Sequence, residues 1–355
     1  MSGNKENAVV YCEGAFNTPN GKTTHGLVRF TERFNISAVV DSHYNGSDSG
    51  SVLDGIPNEI PIVKSLDDAL ITATGEGNVI STFIVGLAPD GGRLPDHALK
   101  AVVSALKSRL NVVSGLHDFL SENSTLTALA ERYNCQILDI RKPPDRSDLH
   151  FFTGKIEMVD CPTIAILGTD SAIGKRTTAW HLVHAFRADG SRAQLVGTGQ
   201  TAWMQGAKYS IILDSLVNDF VSGEIEHAVY EAWRNEHPDV IVLEGQGGLL
   251  NPAYPGGFEL IAAGRPDYIV LQHAPRRKEY DGFPGYPIHP LQHQIDAVEI
   301  ISGKEVVAIA VNHEGMRKEE ILMACQEIEQ ETGLPAFDTL AYGAGDLMEL
   351  LKLKF

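Results

Sequence analysis

An apolar run, Thr163-Ile-Ala-Ile-Leu-Gly168, passes directly into Thr169-Asp-Ser-Ala-Ile-Gly174, and a helical pattern opens at Lys175. Few local sequences restrict a fold as tightly. The run reads as a buried strand, and the loop turns successive backbone N–H groups inward as a nest for phosphate oxygens. The helix start adds its positive dipole end, and Lys175 adds a full charge. Counted back from Gly174 and Lys175, the first glycine of the Gly-x-x-x-x-Gly-Lys-Ser/Thr pattern falls on Thr169, with Gly168 one residue earlier. Strand, loop, lysine and helix stand in order. Gly168, Thr169, Asp170, Ser171, Ala172, Ile173, Gly174, Lys175, Arg176, Thr177 and Thr178 are therefore the expected phosphate-binding residues. The bland alternative is a glycine-rich turn with a chance lysine.

One position departs from the pattern. The residue after the lysine is normally Ser or Thr, whose hydroxyl helps hold Mg²⁺ beside the phosphates. Here it is Arg176, followed by Thr177 and Thr178. One helical step is a rotation of roughly 100°, so Thr177 is not expected at the same metal site. Arg176 supplies a second fixed cation, suited to an extra phosphate. The loop is expected to bind a pyrophosphate without hydrolysing it.

The chain has 355 residues, enough for two domains at about 150 residues each. Its 43% hydrophobic and 21% charged residues are a globular balance, and 34 glycines suit the many tight turns of an α/β layout. The formal net charge of −17 argues against nucleic acid and anionic membranes as partners, since both need a basic face. Through Lys155, 14 Lys and Arg stand against 18 Asp and Glu; beyond it, 15 stand against 28. An anionic ligand of the second part must be held by a local device, and the phosphate loop is one. No apolar run approaches the ~18 residues of a membrane span. The opening MSGNKENAVV lacks a charged-then-apolar signal pattern. Cys12, Cys135, Cys161 and Cys325 stand singly, without metal spacing or a disulfide framework. A cytoplasmic protein with reduced thiols and no metal is expected.

Strand-like runs at 8–13, 38–41, 60–63, 79–85, 112–114 and 136–140 alternate with helical patterns, notably 95–110 and 126–133. The polar, proline-bearing stretch 141–150 reads as a linker. A second series follows: strands at 163–167, 193–196, 240–243, 268–271 and 306–311, with a helix over 175–188 that Gly190 terminates. Strand alternating with helix implies parallel strands joined by right-handed crossovers. The expected fold class is α/β, with two doubly wound parallel-sheet domains at residues 1–152 and 153–355, Rossmann-like first and phosphate-loop second. The first lacks the Gly-x-Gly-x-x-Gly fingerprint, so dinucleotide binding is not expected there. Lys22-Thr23-Thr24 follows Gly21 without the strand-and-loop context of a second phosphate loop. The first domain is expected to shape the acceptor site or the interface of a homo-oligomer.

Other motifs cluster in the second domain. Asp239-Val-Ile-Val-Leu-Glu244-Gly-Gln-Gly-Gly248 is a strand ending in a glycine turn. It places Glu244 at the carboxyl end, where open α/β sheets bind ligands, as a metal ligand or general base. Asn312 ends a strand and offers both a donor and an acceptor to an adenine edge. Gly197-Thr-Gly-Gln-Thr201 brings Thr198 and Gln200 towards the same crevice, and Asp214 and Asp219 fall in a helical segment. Residues 271–293 read as a long loop over a site. Arg276, Arg277 and Lys278 could grip a carboxylate there, and His273 could accept a proton. His289 and His293 are read as surface or packing residues rather than zinc ligands.

These residues resemble known families. The loop GTDSAIGKRT, the turn EGQGG and the strand-ending Asn312 look like the phosphate-loop fold of dethiobiotin synthetase, where a GTD…GKT loop holds ATP. A closer resemblance covers nearly the whole chain. It is to a bacterial family with a Rossmann-like first domain and a phosphate-loop second domain, members of which are assigned as D-glutamate N-acetyltransferases. The matching stretches are GTDSAIGKRTTA, GTGQTAWM, LDSLVNDFVSG, VLEGQGGLLNPAYPG and PDYIVLQHAPR. Asn251 stands where that pattern has a histidine. The resemblance implies acetyl-CoA as donor and D-glutamate, a small acidic amino acid, as acceptor. Glu244, His273, Lys175 and Asp214 are then the catalytic candidates. Thr198, Gln200, Gln246, Tyr254 and Arg276 are the substrate-binding candidates. Coenzyme A carries an adenine, a pyrophosphate and a 3′-phosphate, so a nucleotide loop can serve as its handle. Two rival readings stay open: an ATP- and Mg²⁺-dependent kinase or ligase, and a nucleotide sensor without turnover.

Overall fold

The computed structural model describes residues 5–75 and 77–355. The first four residues of the stretch read for a signal pattern lie outside the described residues. The chain divides into two compact units. One runs through Pro143 and takes in Gln200–Ala207; the other comprises Pro144–Gly199 and Lys208–Phe355.

In the first unit, β1 (Glu6–Tyr11), β2 (Phe34–Val40), β3 (Ile62–Val63), β4 (Thr82–Val85), β5 (Asn111–Ser114) and β6 (Ile137–Asp139) form one sheet. Its order is β3-β2-β1-β4-β5-β6 and its strands pair parallel. The chain winds outward from β1 in one direction and then in the other, which is the doubly wound arrangement. Val9, Val10, Phe83 and Ile84 are all buried. Helices cover both faces, which is why these strands are apolar throughout rather than alternating. β3 is shorter than the run 60–63 because Pro61 has no N–H for the ladder.

The Lys22-Thr23-Thr24 segment does follow a strand and a loop, contrary to the sequence expectation: helix Lys22–Arg29 begins there. It is still no phosphate nest. Phe16 is fully buried in the loop and donates its N–H to the Asp41 carboxylate at 3.0 Å. A side chain on Gly21 would meet the carbonyl oxygens of Ala15 and Phe16 at 2.5 and 2.7 Å. Lys22 is exposed, and the Thr24 hydroxyl donates to Gly86 O. Loop backbone packs against the helix start, where a pyrophosphate would have to lie.

In the second unit, β7 (Thr163–Gly168), β8 (Ala193–Gly197), β9 (Tyr209–Ser210), β10 (Val240–Glu244), β11 (Tyr268–His273), β12 (Val306–Val311) and β13 (Ala336–Phe337) form a parallel sheet. Its order is β13-β12-β11-β7-β10-β8-β9. β7 is central, flanked by β10 and β11, so the loop that follows it opens at the middle of the sheet's carboxyl edge. Helix Lys175–Ala188 buries Lys175, Thr178, Ala179, Leu182, Val183 and Phe186, a stripe at three- and four-residue spacing. Each large apolar side chain so buried contributes about 1.5–3 kcal/mol. Gly190, at φ +93°, lets Ser191 N reach back to Phe186 O and end the helix. The two-residue edge strands β9 and β13 carry too little periodicity to be read from sequence.

Candidate functional site

The loop after β7 alternates backbone handedness. Ala172 has φ +50° and Gly174 φ +96°, both in the left-handed region that a nest requires. Lys175 is buried, with its ammonium donating to Asp170 O at 2.6 Å and Gly247 O at 2.7 Å. Burial lowers its pKa to about 8, against the opposing pull of Asp170 and Glu244. A side chain on Gly168 would strike Lys175 Cδ at 2.8 Å, so glycine gives the lysine its path.

The turn after β10 fits against this loop without clearance. A side chain on Gly248 would lie 2.9 Å from Gly168 O and 3.0 Å from Asp170 N. Glu244 is buried at the strand end, and its Oε2 accepts Thr198 N at 2.8 Å. Burial raises its pKa above the ordinary carboxylate value, and Arg176, the Thr198 N–H and Lys175 only partly offset this. Gln246 Nε2 donates to Thr198 O at 2.8 Å, which joins the ends of β8 and β10.

Asp170 is the hub, and sequence reasoning missed its partners. The side chain is fully buried. Oδ1 accepts Ser171 N at 2.7 Å and Asn251 Nδ2 at 2.6 Å, while Oδ2 accepts Arg277 Nη1 and Asp281 N, each at 2.9 Å. Asn251 Oδ1 in turn accepts Ala253 N and Tyr254 N, so the turn 251–254 hangs from the phosphate loop. Arg277 also donates to Ser171 O at 2.8 Å and Glu314 at 2.6 Å. Asp170 lies 107 positions from Arg277, and no local signal links the two.

Several residues fall elsewhere than expected. The three basic residues after β11 do not act together: Arg277 turns inward to Asp170, whereas Arg276 is exposed and pairs with Glu320 at 3.0 Å. Asn312 holds the loop instead of presenting an open edge, with Nδ2 donating to Ile173 O at 2.8 Å and Oδ1 accepting Glu314 N at 2.9 Å. The Thr178 hydroxyl donates to Gln272 Oε1 at 2.6 Å. Gln200 opens the helix Gln200–Gln205, which belongs to the first unit, where a side chain on Gly115 would meet Gln200 Cγ at 2.6 Å. Thr198, two residues earlier, stays beside Glu244. Asp214 is exposed in a 3₁₀ turn, not in a helix, and that turn is tied to the site by Leu213 N donating to Thr198 O at 3.3 Å. Asp219 is exposed in the first turn of helix Asn218–Glu236. Tyr254 is 56% exposed, with its carbonyl accepting Gly248 N and Gly256 N. His273 Nδ1 lies 3.0 Å from the Thr169 hydroxyl, and burial lowers its pKa to about 4.

In the first unit, ligand atoms of Glu13, Asp41 and His43 lie within 4.8 Å of one another. The carboxylates already accept Ser42 N, Phe16 N and His43 N, so the trio caps the ends of β1 and β2. Among the described residues, no helix is long and apolar enough to cross a membrane.

Fold and site together define a two-unit α/β protein with a phosphate loop in its second unit. Residues 150–348 match the P-loop domain, and residues 42–143 the Rossmann-like domain, of DUF1611, a domain of unknown function; the chain belongs to this family. The crystal structure of a DUF1611 family protein from Anabaena variabilis ATCC 29413 matches it with a TM-score of 0.89 at 29% identity, covering 98% of this chain and 100% of that one. A protein of Tritonibacter scottomollicae named D-glutamate N-acetyltransferase is 30% identical over 276 residues, 76% of this chain and 80% of its own length. One of the same name from Pseudoalteromonas sp is 30% identical over 274 residues, 75% and 80% of the two lengths.

Proposed function

We propose that this protein is an N-acetyltransferase that moves acetyl from acetyl-CoA to the amino group of D-glutamate or a similar acidic amino acid. The observation that carries the reading is the pairing of an intact phosphate nest with an arginine where a nucleotide hydrolase places its metal-binding hydroxyl. The family relatives named D-glutamate N-acetyltransferase supply the acceptor. The loop and Lys175 would seat the coenzyme A pyrophosphate, and Arg176 would meet the 3′-phosphate. Transfer needs no γ-phosphate, so the missing hydroxyl costs nothing. The Thr178 hydroxyl is already given to Gln272.

The acceptor amine must lose a proton to attack the thioester carbonyl. A C–N bond forms, the C–S bond breaks, and the thiolate leaves and takes up a proton. Glu244 suits the base role: it stands at the crevice end of β10, and burial has raised its basicity towards the working range. His273 suits it less, because an imidazole held at a pKa of about 4 is a poor proton acceptor near neutrality. Backbone N–H groups would stabilise the oxyanion, and alignment of the two substrates would supply much of the rate gain.

Calorimetric titration with acetyl-CoA, and separately with ATP plus Mg²⁺, tests the reading before any acceptor is screened. Micromolar acetyl-CoA binding with weak ATP binding is expected. Tight Mg²⁺-dependent ATP binding without acetyl-CoA binding overturns it in favour of phosphoryl transfer.

A further inference from the structure

Four carbonyl oxygens of the phosphate loop are each held by a side-chain donor. Thr169 O accepts Gln294 Nε2 at 3.2 Å, Asp170 O accepts Lys175 Nζ at 2.6 Å, Ser171 O accepts Arg277 Nη1 at 2.8 Å, and Ile173 O accepts Asn312 Nδ2 at 2.8 Å. Within a planar trans peptide, the carbonyl of one residue and the N–H of the next point in opposite directions. A donor that fixes a carbonyl on the outside of the loop therefore aims the following N–H inward. Arg277 acts on the peptide that carries the Ala172 N–H, and Asn312 on the one that carries the Gly174 N–H. Those are the two left-handed residues of the loop, and Ala172, with a Cβ, adopts that conformation at a cost glycine does not bear.

Arg277 is also electrically spent. Its guanidinium lies 2.9 Å from Asp170 Oδ2 and 2.6 Å from Glu314 Oε2, so two carboxylates face one cation. The three groups together carry a net negative charge, so what Arg277 offers the loop is orientation rather than attraction for an anion.

We infer that Arg277 is a positioning residue of the anion nest: through the Ser171 carbonyl it holds Ala172 left-handed and aims the Ala172 N–H at a bound phosphate. Gln294 supports the same loop at Thr169. This rests on the reading of the loop as a pyrophosphate seat. It assigns the selectivity for anions partly to a strap residue that never touches the ligand.

The test is calorimetric titration of the full chain with inorganic pyrophosphate and with acetyl-CoA at several salt concentrations. Arg277→Met made together with Glu314→Gln, which removes one charge of each sign, should weaken both by tenfold or more while leaving the salt dependence of binding at the parental slope, and Arg277→Lys alone should show a smaller loss. Lys175→Ala, which removes a contacting charge, should flatten that slope. Ala172→Pro, at an exposed position, forbids the left-handed conformation and removes the N–H. It should reproduce the loss even where the double variant folds poorly. Parental affinity in Ala172→Pro, or a slope flattened by the charge-conserving Arg277→Met, Glu314→Gln variant as by Lys175→Ala, overturns the inference and leaves the loop reading intact. A parent that binds neither probe removes both.

Discussion

The ammonium of Lys175 lies 2.7 Å from the carbonyl oxygen of Gly247, a residue 72 positions further along the chain. The same ammonium donates to Asp170 O, so one side chain spans the phosphate loop and the turn that carries Glu244. The anion seat and the candidate base are thus a single built unit. Lys175→Ala should remove both ties and the local charge, lowering acetyl-CoA affinity by about 100-fold, the loss of roughly 2.7 kcal/mol. Titration calorimetry reads this directly, and an affinity within a few-fold of the parent would argue that the loop is not the coenzyme A handle.

Gly248 packs on Gly168 O, Thr169 C and Asp170 N, all backbone atoms that cannot swing aside. Gly248→Ala should cost about 1–3 kcal/mol of stability through overpacking. It should weaken acetyl-CoA binding in parallel, since the displaced atoms belong to the loop. Urea denaturation beside calorimetry checks the pairing of the two effects; a variant that keeps both stability and affinity contradicts the close fit.

Glu244→Gln should lower kcat by about 100- to 10,000-fold, the range of a lost general base. It should also abolish an acid limb in the rate profile lying above the ordinary carboxylate range, because burial raises this pKa. The sign for stability runs the other way. With the folded pKa raised, the native state binds the proton more tightly, so stability declines as pH rises from the unfolded to the folded value. The uncharged variant should therefore match or exceed the parent at neutral pH. Full activity in Glu244→Gln clears the residue of the role.

His273 gives the opposite limb. Its pKa falls from 6.5 to about 4 on folding, so between those values the unfolded chain binds a proton that the native state does not. Stability from this group is fully present above pH 6.5 and is lost as pH falls towards 4. His273→Gln should show a shallower decline in urea midpoint across that window. Parallel declines in parent and variant would mean that the imidazole is not held neutral by burial.

Arg176 distinguishes the nucleotide readings. The parent should bind acetyl-CoA better than its 3′-dephospho analogue, by about tenfold or more for one charge-assisted contact. Arg176→Ala should erase the preference while keeping the affinity for the dephospho form. Equal affinities in the parent would remove the 3′-phosphate role from this arginine.

The amino-acid sequence by itself determined the parts whose cause is local. Helix 175–188 was legible to its last residue, because Ala179, Leu182, Val183 and Phe186 recur at three- and four-residue spacing after the loop lysine and a glycine closes it. β7 and β12 were legible as unbroken apolar runs, and the nest followed from a glycine and a lysine at the start of that helix. Tertiary structure decided which side chains converge on the nest. Arg276 and Arg277 are neighbours in sequence, yet one meets Glu320 on the surface and the other a buried Asp170. Thr198 and Gln200 are two residues apart, yet they serve different units. Asn312 ends a strand as expected, but register across the sheet turns its amide into a support for the loop. Periodicity and turn chemistry act over a few residues and can be read along the chain. A buried carboxylate takes its donors from whatever the fold brings within 3 Å, and that is set by strand order and loop path, which only the folded chain contains.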